Sequence, residues 1–292
     1  MPGTSSFARN RGRSVRLGRR SIIQIFLFLG IVLIGAPRAV FAQTDEIQVY
    51  DAAIAEPGVF NLMLHTNFTP IGLKDPAYPG AIISDHSFNS VPEWAYGVTP
   101  WFEQGLYLPV YSISKGRGST LDSFKLRELF VRPNADKHTF FYGMNFEFSY
   151  NATYWEQRRF TSEMRPIIGV HLRQWDLIVN PILDTDWTGL RNFTFAPSAR
   201  VAYNLSPKWA IATEHYAEYG PLHQFDTVQD QYHAQWAVFD HTTKFLNIEA
   251  GIGFGLTPGT DKITLKLMLS RDLNHKKEIA PPNEQNRQGG AP

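Results

Sequence analysis

The feature that most constrains this chain is an alternation of side-chain character with period two, repeated along most of its length. In Phe140–Tyr150, the residues Phe140, Tyr142, Met144, Phe146, Phe148 and Tyr150 fall on one side, and Phe141, Gly143, Asn145, Glu147 and Ser149 on the other. Successive side chains of a strand point to opposite faces, so this segment has one oily face and one mostly polar face. Segments at 60–68, 246–256 and 263–269 repeat the pattern. Twelve such segments are read, at 58–68, 86–98, 101–113, 124–131, 139–150, 161–172, 174–184, 192–203, 209–219, 231–241, 245–256 and 262–273.

The connections between them alternate in length. The odd ones span 69–85, 114–123, 151–160, 185–191, 220–230 and 257–261, and nearly all exceed their even neighbours at 99–100, 132–138, 173, 204–208 and 242–244. Outer-membrane barrels segregate short periplasmic turns from longer extracellular loops in this way, and their strands need about 9–11 residues. The expected fold is all-β: an antiparallel up-and-down transmembrane β-barrel of about twelve strands over 58–273. A secreted soluble β-sandwich is the competing fold. Against the barrel stand Pro109, Pro166, Pro181 and Pro197 inside proposed strands, where proline deletes a ladder hydrogen bond. Segment 124–131 also puts Glu128 on the lipid side with Phe124, Leu126 and Phe130.

The first 42 residues read as an address. They hold seven Arg and no acid, which leaves 21 bases against 27 acids, a net charge of −6, in residues 43–292. The apolar run Ile22–Gly35 is 14 residues long and is followed by Ala39-Val-Phe-Ala42. This is the layout of a secretory signal peptide, with cleavage expected after Ala42, and the run is short of the ~20 residues of a spanning helix. Residues 43–57 are expected to form a periplasmic lead-in, and 274–292, rich in polar residues, Pro and Gly, a disordered tail. The expected location is the outer membrane, reached through the periplasm. The partners are the secretion and barrel-assembly machineries, outer-membrane lipids and an unidentified small solute.

The chain has no Cys, which excludes a disulfide scaffold, a thiol nucleophile and a Cys-ligated metal. A net charge of +1 gives no reason to expect nucleic acid. His86 and Ser87 would point to opposite strand faces, and no Gly-x-Ser-x-Gly or His-x-x-x-His occurs. No catalytic residue, cofactor or metal site is expected, and the protein is read as a non-enzyme.

The polar faces nominate a lumen lining of Asn61, His65, Glu93, Glu147, Glu163, Arg165, Asp176, Asn180, Arg200, Glu214, His233, Glu249 and Lys266. These groups either line a wet passage or pair across a narrow interior and close it. A barrel of twelve strands lies between side-chain-filled eight-stranded barrels and open sixteen-stranded ones. Two even turns share chemistry: Tyr96 and Trp101 flank Pro100, and Tyr203 and Trp209 flank Pro207. These four aromatics suit a membrane–water boundary.

Several stretches resemble a family of outer-membrane proteins associated with the meta-cleavage pathway of phenol degradation. They are Glu46–Asp51 with Ala55–Gly58, Glu93–Pro109, Phe140–Glu147, Asn180–Asp184, Ala202–Pro207, Glu214–Tyr216 and Leu265–Leu273. The resemblance implies an outer-membrane barrel serving as a passive channel or uptake protein for small compounds, aromatic ones among them. The last strand departs from a common barrel pattern: it ends near Leu273 rather than on an aromatic residue.

Overall fold

The structure, a computed structural model, describes residues 46–274. The signal peptide expected at 1–42 and the tail beyond Asn274 lie outside that range.

Twelve antiparallel strands follow one another in chain order: β1 Phe60–Ile71, β2 Ser87–Thr99, β3 Phe102–Ser114, β4 Gly118–Val131, β5 Phe140–Asn151 and β6 Phe160–Leu172. Then come β7 in two pieces (Trp175–Asn180 and Leu183–Thr185), β8 in two (Thr194–Phe195 and Ser198–Ser206) and β9 in two (Trp209–Glu218 and Gly220–Pro221). The last are β10 Tyr232–Thr242, β11 Asn247–Gly255 and β12 Ile263–Asp272. Each strand pairs with its sequence neighbours, and β12 pairs with β1 through partners such as Phe68↔Leu265 and Leu64↔Leu269. The sheet therefore closes on itself and leaves no edge, which is what hydrocarbon demands of a spanning sheet. This closure excludes the sandwich.

The prolines explain the irregularities. β7 and β8 break at Pro181 and Pro197, and β9 breaks beside them at Tyr219. The wall stays joined there: Ala196 N–H donates to Ile182 O at 3.0 Å, and Ala217 N–H to Pro197 O at 3.0 Å. Pro109 sits where the register of β3 shifts against both β2 and β4. Pro166 stays in the ladder opposite Met144.

One connection departs from expectation. β4 begins at Gly118 rather than at 124, so the β3–β4 loop shrinks to residues 115–117, shorter than the β4–β5 connection at 132–139. Gly-Ser-Thr-Leu-Asp-Ser (118–123) lacks apolar alternation, yet it extends the strand because Asp122 turns inward and accepts from Ser112 at 2.5 Å and from Thr120 at 2.7 Å.

Large apolar side chains cover the outside, among them Phe60, Trp94, Phe124, Leu126, Phe148 and Leu265. Glu128 also faces out, accepting a hydrogen bond from Gln104 at 3.1 Å across the β3–β4 ladder. Inside, large residues lie directly across the ladder from glycine: Arg127 opposite Gly105, Phe141 opposite Gly169, Trp236 opposite Gly253 and Lys266 opposite Gly251. A Cβ at Gly169 would overlap the Phe141 ring, and one at Gly253 the Trp236 ring.

Candidate functional site

The interior is the candidate site. The lead-in expected at 43–57 runs, over its described residues, inside the barrel. It enters beside the β2–β3 turn, where Gly58 N–H donates to Gly97 O at 2.8 Å. Gly97 is glycine for a reason of space, because a Cβ there would overlap the carbonyl oxygens of Ala55 and Glu56. Ala55 N–H donates to Glu103 at 2.5 Å. Higher up, Tyr50 N–H donates to Asn180 Oδ1 at 2.7 Å, and Asn180 Nδ2 returns a bond to Tyr50 O at 3.1 Å. The Tyr50 hydroxyl lies 2.7 Å from that of Tyr107, and its ring lies under the Arg165 guanidinium at 4.3 Å. Val49, Tyr50 and Ala52 pack against Leu129, Phe141, Ile167 and Ile178, while Ile47 packs against Trp236 and Val238. None of the described lead-in residues pairs as a strand; from Ile47 to Ala55 its backbone is held by side chains of the wall, Asn180, Arg165, Lys266 and Glu103. A cleft of about 310 Å³ opens beside it, lined by Ala52, Glu56, Pro100, Arg132, Asn134 and Lys137 among others.

Around the lead-in, buried charges gather in three clusters. In the first, Arg127 on β4 bridges Glu93 on β2 (2.8 Å) and Glu103 on β3, and His65 on β1 reaches Glu93 at 3.0 Å. In the second, Arg200 on β8 contacts Glu214 on β9, Asp240 on β10 and Glu249 on β11, the last at 3.2 Å. Lys266 on β12 completes that ring, 2.6 Å from both Glu214 and Glu249, and donates to Ile47 O at 3.1 Å. In the third, Arg165 on β6 binds Glu163 at 2.6 Å and reaches Glu46 of the lead-in at 3.5 Å. Glu147, Glu163 and Asp184 form an acidic row across β5, β6 and β7, with Lys125 3.6 Å from Glu147. Buried charges need such partners, because removing one leaves the other stranded in low dielectric.

The remaining nominated residues are placed as follows. Asp176 faces inward, with His171 Nδ1 at 2.6 Å and Asn204 donating at 2.7 Å. Asn61 lies at the short-turn rim, donating to Asp272 at 2.7 Å. His233 is a correction: it faces outward. β10 turns Tyr232, Ala234, Trp236 and Val238 inward, opposite Glu218, Tyr216, Glu214 and Ala212, so His233 and Gln235 are left on the outer wall. The glycines of β11 make room for the large inward ring, and the register follows the ring rather than polarity. Sequence reading did not nominate Arg127 and Asp240 as members of the buried clusters, nor the lead-in as an occupant of the interior.

The four nominated boundary aromatics stand outward at the short-turn end. Tyr96 packs on Phe60 with centroids 4.5 Å apart, and Trp101 on Phe130 at 6.1 Å. Tyr203 packs on Trp175 at 4.8 Å, and Trp209 stacks on His241 at 3.6 Å. His86 and Ser87 do not converge: His86 is paired with Asp85 at 2.9 Å and exposed, whereas Ser87 is buried.

No protein-family model matches the chain, and no curated protein matches it. Solved structures do. The COG4313 outer membrane channel from Pseudomonas putida F1 aligns with a TM-score of 0.51 at 15% identity, over 78% of this chain and 100% of that one. The NanC porin aligns at 0.49 and 6% identity, over 73% of this chain and 100% of that one. The translocator domain of the autotransporter NalP from Neisseria meningitidis aligns at 0.44 and 10% identity, over 88% and 98%. At such identities the likeness is one of fold: this chain is a closed twelve-stranded β-barrel of the outer-membrane kind.

Proposed function

We propose that the protein is a passive outer-membrane channel or uptake protein for small solutes, with a preference for cations, and that the lead-in forms its constriction. The observation that carries this reading is the charge of the interior. Glu46, Glu93, Glu103, Glu147, Glu163, Asp184, Glu214, Glu218, Asp240 and Glu249 outnumber Lys125, Arg127, Arg165, Arg200 and Lys266. An acidic, low-dielectric passage concentrates cations and repels anions. The reading is non-enzymatic. The leader supports export through the periplasm, with the secretion and barrel-assembly machineries and outer-membrane lipids as partners. The resemblance in sequence supports small compounds, aromatic ones among them, as cargo.

Planar-bilayer recording of the refolded mature protein tests it. Discrete current steps are expected, with a reversal potential in a KCl gradient displaced toward that of potassium. A second reading, a closed structural or interaction barrel, is favoured by the lead-in inside the barrel and the buried ion pairs that surround it. Silent membranes from both the mature chain and a chain lacking residues 43–57 would establish that second reading.

A further inference from the structure

The alternation that turns Trp236 inward leaves Thr213, His215, His233 and Gln235 on an outer face that otherwise carries Ile211 and Phe239. His215 lies opposite Gln235, and His233 opposite Ala217, so the two imidazoles are diagonal neighbours on one face. The small side chain of Ala217 lets the rings approach, with centroids 5.6 Å apart. Their nearest nitrogens, His215 Nε2 and His233 Nδ1, are 3.5 Å apart.

The bonds behind the rings fix which nitrogens carry protons. Gln235 donates its amide nitrogen to the Glu214 carbonyl at 2.9 Å and to Thr213 Oγ1 at 2.6 Å. A carbonyl can only accept, so the amide is locked with Oε1 toward His215 Nδ1, 3.3 Å away. That oxygen also only accepts, so His215 carries its proton on Nδ1 and keeps a lone pair on Nε2. The same chain recurs at the other ring. Gln231 donates to the Asp226 carbonyl at 2.8 Å, and its Oε1 takes the proton of His233 Nε2 at 2.9 Å. His233 Nδ1 is left with a lone pair. Two lone pairs thus face each other with no proton between them, an arrangement that repels until a cation enters.

We propose that His215 Nε2 and His233 Nδ1 form a site for one divalent transition-metal ion on the outer wall of β9 and β10. Zinc–imidazole bonds of ~2.0–2.1 Å in a tetrahedron place two ligand nitrogens about 3.4 Å apart, the separation these rings already hold. Ligand histidines are held in this way through their second nitrogen. Imidazole pairs suit zinc, copper and nickel, and disfavour calcium and magnesium, which take oxygen. Among the described residues no group of three or more His, Cys, Asp or Glu is placed to hold a metal, so the chain supplies two donors and water takes the remaining positions. The site is independent of any passage through the interior, because it faces away from it.

The test is titration of the untagged, folded protein in detergent with Cu²⁺ or Zn²⁺, following calorimetry and, for Cu²⁺, the paramagnetic resonance spectrum. One ion per chain is expected, with two-nitrogen coupling in the copper spectrum. His215→Ala and His233→Ala should each weaken binding at least tenfold, Gln231→Leu about tenfold through loss of ring positioning, and His223→Ala not at all. Heat-modifiable gel mobility confirms that each variant is folded. The proposal fails if the wild-type protein shows no saturable binding or no nitrogen coupling. It fails equally if the folded double variant His215→Ala/His233→Ala binds as the wild type does.

Discussion

Arg127 carries two carboxylates, Glu93 and Glu103, and is itself buried between them. Replacing it by Met would strip Glu103 of its ion-pair partner and leave Glu93 to its pair with His65, both in low dielectric. We expect a loss of about 3–5 kcal/mol, read as an earlier midpoint in urea unfolding of the barrel in detergent. Gly169→Val tests the steric counterpart. The added side chain must displace the Phe141 ring, and overpacking of this kind costs about 1–3 kcal/mol, measured in the same way. Alternation alone sufficed to put Glu93 and Lys266 on the inward face, because their neighbours Trp94 and Leu265 are emphatically apolar. It misled at His233, where the inward positions Ala234 and Trp236 are no more polar than Ala237 and Phe239 outside. The usable clue lay one strand away, in the inward file Gly251, Gly253 and Gly255 that admits a large ring.

At the scale of elements, the strands were legible because each had to show oil on one side for some ten residues. Gly118–Ser123 escaped notice because its inward residues, Thr120 and Asp122, are polar and bond one another and Ser112, while its outward ones show only a single large apolar side chain, Leu121. The place of the lead-in inside the barrel was hidden for a different reason: a segment held by scattered apolar contacts and side-chain hydrogen bonds needs no periodicity of its own. The long β1–β2 loop is tied to the β11–β12 turn by Asp261, which accepts from Ser84 at 2.5 Å and from Leu73 N–H at 2.7 Å. Burial pushes the Asp261 carboxyl up to about 6, with repulsion from Asp85 adding and the bonds from Ser84 and Leu73 opposing. The folded protein therefore holds this proton more tightly than the unfolded chain does. Its stabilisation is complete below the ordinary value of 3.8 and is lost as pH rises through about 6. Amide exchange at Leu73, corrected for its intrinsic rate, should show protection falling between about pH 5 and pH 8. Asp261→Asn should flatten that dependence; an unchanged slope in the variant would place its origin elsewhere.

For the molecule as a whole, closure is the property on which the rest depends. It was readable as a count of oily segments and a parity of loops, but the partner of the first strand could not be read from either. The structure joins β1 to β12 and ties the joint at the short-turn end. Leu273 N–H donates to Phe60 O at 2.7 Å, and the Asn274 side chain accepts from Phe60 N–H at 2.7 Å while donating to Gly58 O at 3.0 Å. A chain ending at residue 261 should lose heat-modifiable mobility altogether, whereas Asn274→Ala should keep it and unfold at a slightly lower temperature, both read on unboiled gels. The same joint orders events in the cell: the earliest strand to emerge from the ribosome must wait for the latest. Any nascent fragment carries two raw margins of unsatisfied peptide groups, and it depends on an escort until its final segment arrives.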